Sequence, residues 1–190
     1  MNKFLKFCFL SISLSLTLFS CSSEDTDDAR METFNTNNIE ANITPMELYG
    51  TWKLSVMQSD VLVDLNKDNT GSYNLLSETS CFSNMAIVFR EDMTFTTTNA
   101  KLDFNGGTNN NEFTCVEGRQ DSGTWDVEDN VLILNINIDG MVYSQRKPLS
   151  YTNTTFSFDI TEAESNAYVD DPGNTSASNI NILSVEYTKQ

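Results

Sequence analysis

The sequence predicts an all-β chain, an antiparallel barrel or sandwich of about eight to nine strands entered through a short N-terminal helical turn. Three observations predict it. From residue 49 onward, apolar side chains recur at every second position in short runs, the period of a strand with one buried face. Turn-forming residues separate these runs at strand-length intervals. The chain has 190 residues, and its patterned part is of a size that one hydrophobic core can fill.

The folded part opens at Thr44-Pro45-Met46-Glu47. Thr44 can cap, Pro45 suits the first helical position and Glu47 completes a capping box, so one helical turn leads into the first strand. In the run 49–58, Trp52, Leu54 and Val56 share a face; in 84–90, Met85, Ile87 and Phe89 do so. Met93, Phe95 and Thr97 follow in 93–99, then the runs 112–117 and 123–128. Leu132, Leu134, Ile136 and Ile138 alternate with Asn135 and Asn137 in 130–138. The runs 141–151 and 154–160 come next, the latter with Phe156, Phe158 and Ile160 inward. The last run, 179–188, breaks phase: Ile180 and Ile182 lie on one parity, Leu183, Val185 and Tyr187 on the other. That break predicts a β-bulge near Ile182. Tyr73 to Glu78 reads as a short amphipathic helix, and 161–178 as a long loop marked by Asp170-Asp171-Pro172-Gly173. Nine runs fit an eight-stranded barrel with one extra or split strand.

Composition narrows the chemistry. With 27 acidic and 11 basic residues the formal net charge is −16; such a surface repels nucleic acid and anionic lipid head groups and suits divalent cations. There is no histidine, which removes Ser-His-Asp and Cys-His nucleophiles and the imidazole ligands of catalytic zinc. Paired carboxylates can act as acid and base without histidine, but no spacing singles out a pair. Lys101 and Lys147 lie in or beside strands without a nucleophile's signature. The expectation is a protein that is not an enzyme and has no catalytic residues.

The N-terminus carries an address. Lys3 and Lys6 precede the apolar stretch Phe7 to Phe19, which is too short to span a bilayer comfortably, where about 20 residues are needed. It ends in Leu18-Phe19-Ser20-Cys21. That order resembles the lipobox of bacterial lipoproteins, which implies removal of 1–20 and acylation of Cys21. Residues 21–44 then form an acidic, disordered tether with a span on the order of 25 Å, and 45–190 form the barrel domain. Ser22-Ser23-Glu24-Asp25-Thr26-Asp27-Asp28 resembles the export signal of surface-exposed Gram-negative lipoproteins; an ordinary solvated spacer is the alternative. The implied location is the cell envelope, lipid-anchored to the outer membrane. With Cys8 lost and Cys21 lipidated, Cys81 and Cys115 remain as one pair, expected as a disulfide after export.

Leu48-Tyr49-Gly50-Thr51-Trp52-Lys53-Leu54 resembles the start of bacterial lipocalin-like domains, whose first strand carries Gly-x-Trp after a short helical turn. The likeness continues through Asp64-Leu65-Asn66-Lys67-Asp68, Cys81-Phe82, Val88-Phe89, Met93-Thr94-Phe95-Thr96, Cys115 and Gly123-Thr124-Trp125. It implies a lipocalin-like barrel around an interior that can hold one small ligand. It also implies a basic residue near the end of the barrel against the first-strand tryptophan, and the only late basic residue is Lys189.

Two sets of side chains are candidate sites. Phe89, Phe95, Phe113, Tyr143, Phe156, Phe158 and Tyr187 can line a ligand cavity or fill a solid core. Trp52 and Trp125 read as core plugs. Asp64, Asn66, Asp68 and Thr70 place oxygens at alternating positions, as the first half of a calcium loop does, with Asn69 where that loop has glycine and Leu75 where it has glutamate; the alternative is an Asx-rich turn that caps its own backbone. Calcium is thus the one cofactor considered. The functional expectation is binding of a small, partly apolar ligand, or else a surface interaction module contacting an envelope protein or glycan. Oligomeric state is not legible.

Overall fold

The capping box forms as the sequence predicts. Thr44 donates its backbone N–H (2.7 Å) and its hydroxyl (2.8 Å) to Glu47 Oε2, and these bonds hold the Glu47 carboxyl below its usual range. They start α1 (Pro45–Leu48). The computed structural model describes residues 42–104, 112–138, 140–170 and 180–190, which fall within one compact unit, Ile39–Gln190. Ile43, just ahead of the boundary read at 44/45, is buried, and its N–H donates to Asn130 Oδ1 at 2.7 Å.

After α1 come β1 (Gly50–Val63), β2 (Ser72–Asn74), α2 (Leu75–Glu78), β3 (Ala86–Phe89), β4 (Thr94–Asp103), β5 (Thr114–Glu128) and β6 (Val131–Ile138). They are followed by β7 (Met141–Pro148), β8 (Ser150–Tyr151), β9 (Thr155–Asp159), α3 (Glu162–Ser165), β10 (Val169–Asp170) and β11 (Ile182–Lys189). The main sheet runs β7-β6-β5-β4-β3-β1-β11-β9-β8. Its pairs are antiparallel, and β10 adds parallel to β4. The run 141–151 splits at the buried Leu149: β7 pairs with β6, whereas β8 pairs with β9 through Ser150–Ser157 and Tyr151–Phe156. One stretch of chain therefore joins both ends of the sheet, which curls into a half-barrel closed at one end. Among the described residues no helix is long and apolar enough to cross a membrane.

Bulges account for most departures from simple alternation. In β1, Leu54 pairs with Tyr187 but Val56 with Glu186, so Ser55 is the extra residue and its hydroxyl bonds Glu186 O at 3.1 Å. The phase flips there: Met57 and Ser59 are buried, and Val56 leaves the face it was expected to share with Trp52. In β11, Gln58 pairs with Ser184 and Ser59 with Ile182. The predicted bulge thus falls on Leu183, which is exposed rather than inward. In β5, Gly118 at φ +85 is the extra residue opposite Asn99 and Ala100, so the runs 112–117 and 123–128 are one strand that bends without breaking. Tyr73 belongs to β2, leaving the predicted helix shortened to α2. The expected loop 161–178 contains α3 and β10, and its portion 171–178 lies outside the described residues.

Gly123 is required by packing. A Cβ there would stand 1.9 Å from Asn135 O and 3.1 Å from Phe95 Cε1, so β5 and β6 could not keep their register. The β5–β6 hairpin turns on Asp129 and Asn130, both at positive φ, as a two-residue type I′ turn demands.

The closed end is filled by aromatic rings. Trp52 is fully buried, its ring 4.8 Å from that of Phe156; Phe89 lies 4.6 Å from Trp125, and Tyr49 meets Trp125 edge-on at 5.8 Å. Trp52 Nε1 donates to Leu48 O at 2.7 Å. Lys189 supplies the basic residue implied for this tryptophan, its Nζ standing 5.1 Å from the ring centroid and donating to Glu47 O at 2.8 Å. Both tryptophans are core plugs. Cys81 and Cys115 form a disulfide, with Cα atoms 5.5 Å apart.

Candidate functional site

The inward face of the open end encloses a cavity of about 320 Å³. Its apolar wall is set by strand alternation: Ile87, Phe95, Leu134, Ile136, Phe158 and Ile160 come from four strands and the segment after β9. Tyr187 stacks on Phe156 at 5.2 Å and on Phe158 at 6.2 Å, so the filled end passes directly into the cavity wall.

The other wall is polar. Asn99 Nδ2 donates to Thr97 Oγ1 at 2.7 Å and Asp121 Oδ2 at 2.8 Å, and Arg119 Nε lies 3.3 Å from the same carboxylate oxygen. Gln145 and Lys147 reach in from β7. Lys147 is buried, stands 5.6 Å from the centre of the Phe158 ring, donates to Asp159 O at 3.3 Å, and pairs with Glu164.

Glu164 belongs to α3, which covers part of the mouth together with Ala163, Ala167 and Tyr168. Thr161 caps this turn, giving its N–H (2.9 Å) and hydroxyl (2.8 Å) to Glu164 Oε2. Ser165 Oγ accepts from Ile182 N, and Tyr168 O from Leu102 N, both at 2.8 Å. The cover is therefore bonded to β4, β7 and β11. Burial by itself pushes the Glu164 carboxyl up, but the Lys147 and Thr161 hydrogen bonds outweigh it and hold the group below its ordinary 4.5. A carboxyl whose folded value lies below its unfolded one stabilises the fold above the unfolded value and loses that contribution as pH falls through the folded value. Thermal melting followed from pH 7 to pH 3 is expected to drop on the acid side of about 4.5, and to drop less in Glu164→Gln. Glu164→Ala leaves the Lys147 ammonium buried without a counter-charge. It is expected to cost about 3 kcal/mol in urea unfolding, the low end for a broken buried pair because Glu164 is a quarter exposed.

Of the seven aromatic candidates, Phe95, Phe158 and Tyr187 line the cavity. Phe89 and Phe156 belong to the packed rings beneath it. Phe113 packs elsewhere, 5.7 Å from Phe104. Tyr143 corrects the expectation most clearly: it shares parity with Gln145 and Lys147 but sits near the free end of β7 and is 46% exposed. Asp64, Asn66, Asp68 and Thr70 share one exposed loop. There Asp64 accepts from Asp68 N and Asn69 N, Asn66 from Asp68 N, and Asp68 from Thr70 N at 2.7 Å. This is the Asx-rich turn, with Asn69 at φ +68; among the described residues no three Cys, Asp or Glu groups are placed to hold a metal ion. Glu78 is buried behind the loop and accepts from Leu65 N at 3.2 Å. Glu164 and Tyr168 were not anticipated, although Thr161-Glu162-Ala163-Glu164 carries a capping-box signature. Cys21 lies outside the described residues.

A curled antiparallel sheet, plugged with rings at one end and hollow at the other, is a barrel-type binding fold. The family model described as a lipocalin-like domain matches residues 48–158, more than half of the chain, and the chain belongs to that family. No curated protein and no solved structure matches it.

Proposed function

We propose that this protein is a lipid-anchored lipoprotein of the cell envelope whose lipocalin-like barrel binds a small, partly apolar molecule without transforming it. One observation carries the binding reading: the cavity of about 320 Å³ falls within the range of small-molecule sites, roughly 300–1,000 Å³, and combines an apolar wall with a few convergent polar groups. The anchoring reading rests on the order of Lys3, Lys6, the apolar stretch and Cys21. Native mass spectrometry of the full chain isolated from its own envelope is expected to show a co-purifying small molecule that is lost on denaturation. Replacing Cys21 by Ala removes the acyl chains, each buried methylene contributing about 0.8 kcal/mol, and is expected to move the protein out of the membrane fraction. Retention there would refute the anchor.

A second reading, a non-catalytic surface module that contacts an envelope protein or glycan, draws on the β6–β7 hairpin. Ile138, Met141, Val142 and Tyr143 stand exposed there, and apolar side chains exposed together are a feature of interaction sites. A chain that carries no small molecule in the same mass measurement favours this reading.

A further inference from the structure

Buried polar groups are ordinarily paired, and the charged groups lining the cavity, from the buried Lys147 to the half-exposed Arg119, are all paired. Lys147 is matched by Glu164, and Arg119 by Asp121, so two cations and two carboxylates cancel in pairs. Three uncharged groups lining the same cavity have no partner among the described residues: the Tyr187 hydroxyl, the Tyr168 hydroxyl and the Gln145 side-chain amide. No fully enclosed side-chain nitrogen or oxygen lacks a partner, so each of the three keeps some accessible surface, and all three residues line the cavity. Tyr187 is only 2% exposed; its hydroxyl lies deep in the barrel with nothing of the protein to bond.

We propose that the cavity selects a neutral amphiphile, an apolar body carrying a hydroxyl, carbonyl or amide group that bonds Tyr187, Tyr168 and Gln145, over molecules with an ionised head group. This rests on the reading of the cavity as a ligand site. An ionised guest gives up its hydration among charges that are already matched, which is unfavourable, and the chain's net charge of −16 further repels anions. A neutral guest instead completes hydrogen bonds left open, and a site built to bond a polar group discriminates strongly against an analogue lacking it. Burial raises the Tyr187 phenol well above its ordinary value and the Tyr168 phenol to about 12, so both remain donors at any physiological pH.

The test uses the full chain and four naphthalene probes of matched shape: 2-acetylnaphthalene, 2-isopropylnaphthalene, 2-naphthoate and 2-naphthylmethylammonium. Calorimetric titration is expected to rank acetylnaphthalene at least about tenfold tighter than each of the others. Tyr187→Phe keeps the stacking on Phe156 and Phe158; with an unchanged melting temperature, it is expected to remove that preference while leaving isopropylnaphthalene affinity as it was. A preference that survives both Tyr187→Phe and Tyr168→Phe overturns the assignment, as does tightest binding of either ion. Equal binding of all four overturns this inference alone. Binding of none overturns the ligand-site reading with it.

Discussion

Trp52→Ala is expected to lower stability by about 4 kcal/mol, within the range for a buried Trp or Phe reduced to Ala. The substitution removes a ring with no exposed surface, leaves Leu48 O without its indole donor, and takes away both the Phe156 edge contact and the face on which the Lys189 ammonium sits. A domain of this size is stable by about 5–15 kcal/mol, so the variant stands close to unfolding at ambient temperature. The urea midpoint reads the effect. Trp52→Phe separates its parts, since it keeps an aromatic body and loses the hydrogen bond, and is expected to cost less than half as much. A Trp52→Ala penalty below about 1 kcal/mol would mean that the rings do not hold the closed end together.

Removing the Cys81–Cys115 bridge is expected to cost about 4 kcal/mol. Its sequence separation is 34, and the chain-entropy account of disulfides gives that magnitude for a loop of this length. The bridge ties the turn ahead of β3 to the first residues of β5, where Cys115 pairs with Leu102 of β4. The double replacement Cys81→Ser with Cys115→Ser should lower the urea midpoint by the same amount as reduction of the wild-type protein. Unequal shifts would show that serine at the buried position 81 adds a penalty of its own, because that site is 3% exposed.

Much of the scaffold is legible because most of the long strands are buried on one face. Phe156 and Phe158 in β9 alternate with polar neighbours, Leu132 and Leu134 in β6 share one parity of a run that turns polar on its other face at Asn135, and all four are buried as the period of two requires. The bulge in β11 shows as a break in parity because Ile182 and Val185 both face inward. The bulge at Ser55 does not: Val56 is as apolar as the residues it departs from, and only the partner strand reveals which residue is extra. The site is less legible than the scaffold. Phe95 and Phe156 look alike in sequence, and only the closing of the sheet decides that one borders a cavity and the other fills the end. The polar wall is assembled from β4, β5, β7 and α3, so Asp121 and Glu164 acquire their roles from residues 22 and 17 positions away. Tyr143 was misplaced because parity gives a side chain's face and says nothing of how far along a strand the neighbouring cover extends.

The two ends of the sheet are closed by different means. β7 is bonded to β6 along its length, but the same stretch of chain meets β9 only at Ser150 and Tyr151, and beyond them the Lys147 ammonium reaches across to Asp159 O. The wall is thus closed by strand pairing at the ring-filled end and by Lys147, through Asp159 O and Glu164, at the hollow one. One end of the seam therefore rests on the main chain and the other on the reach of a single side chain.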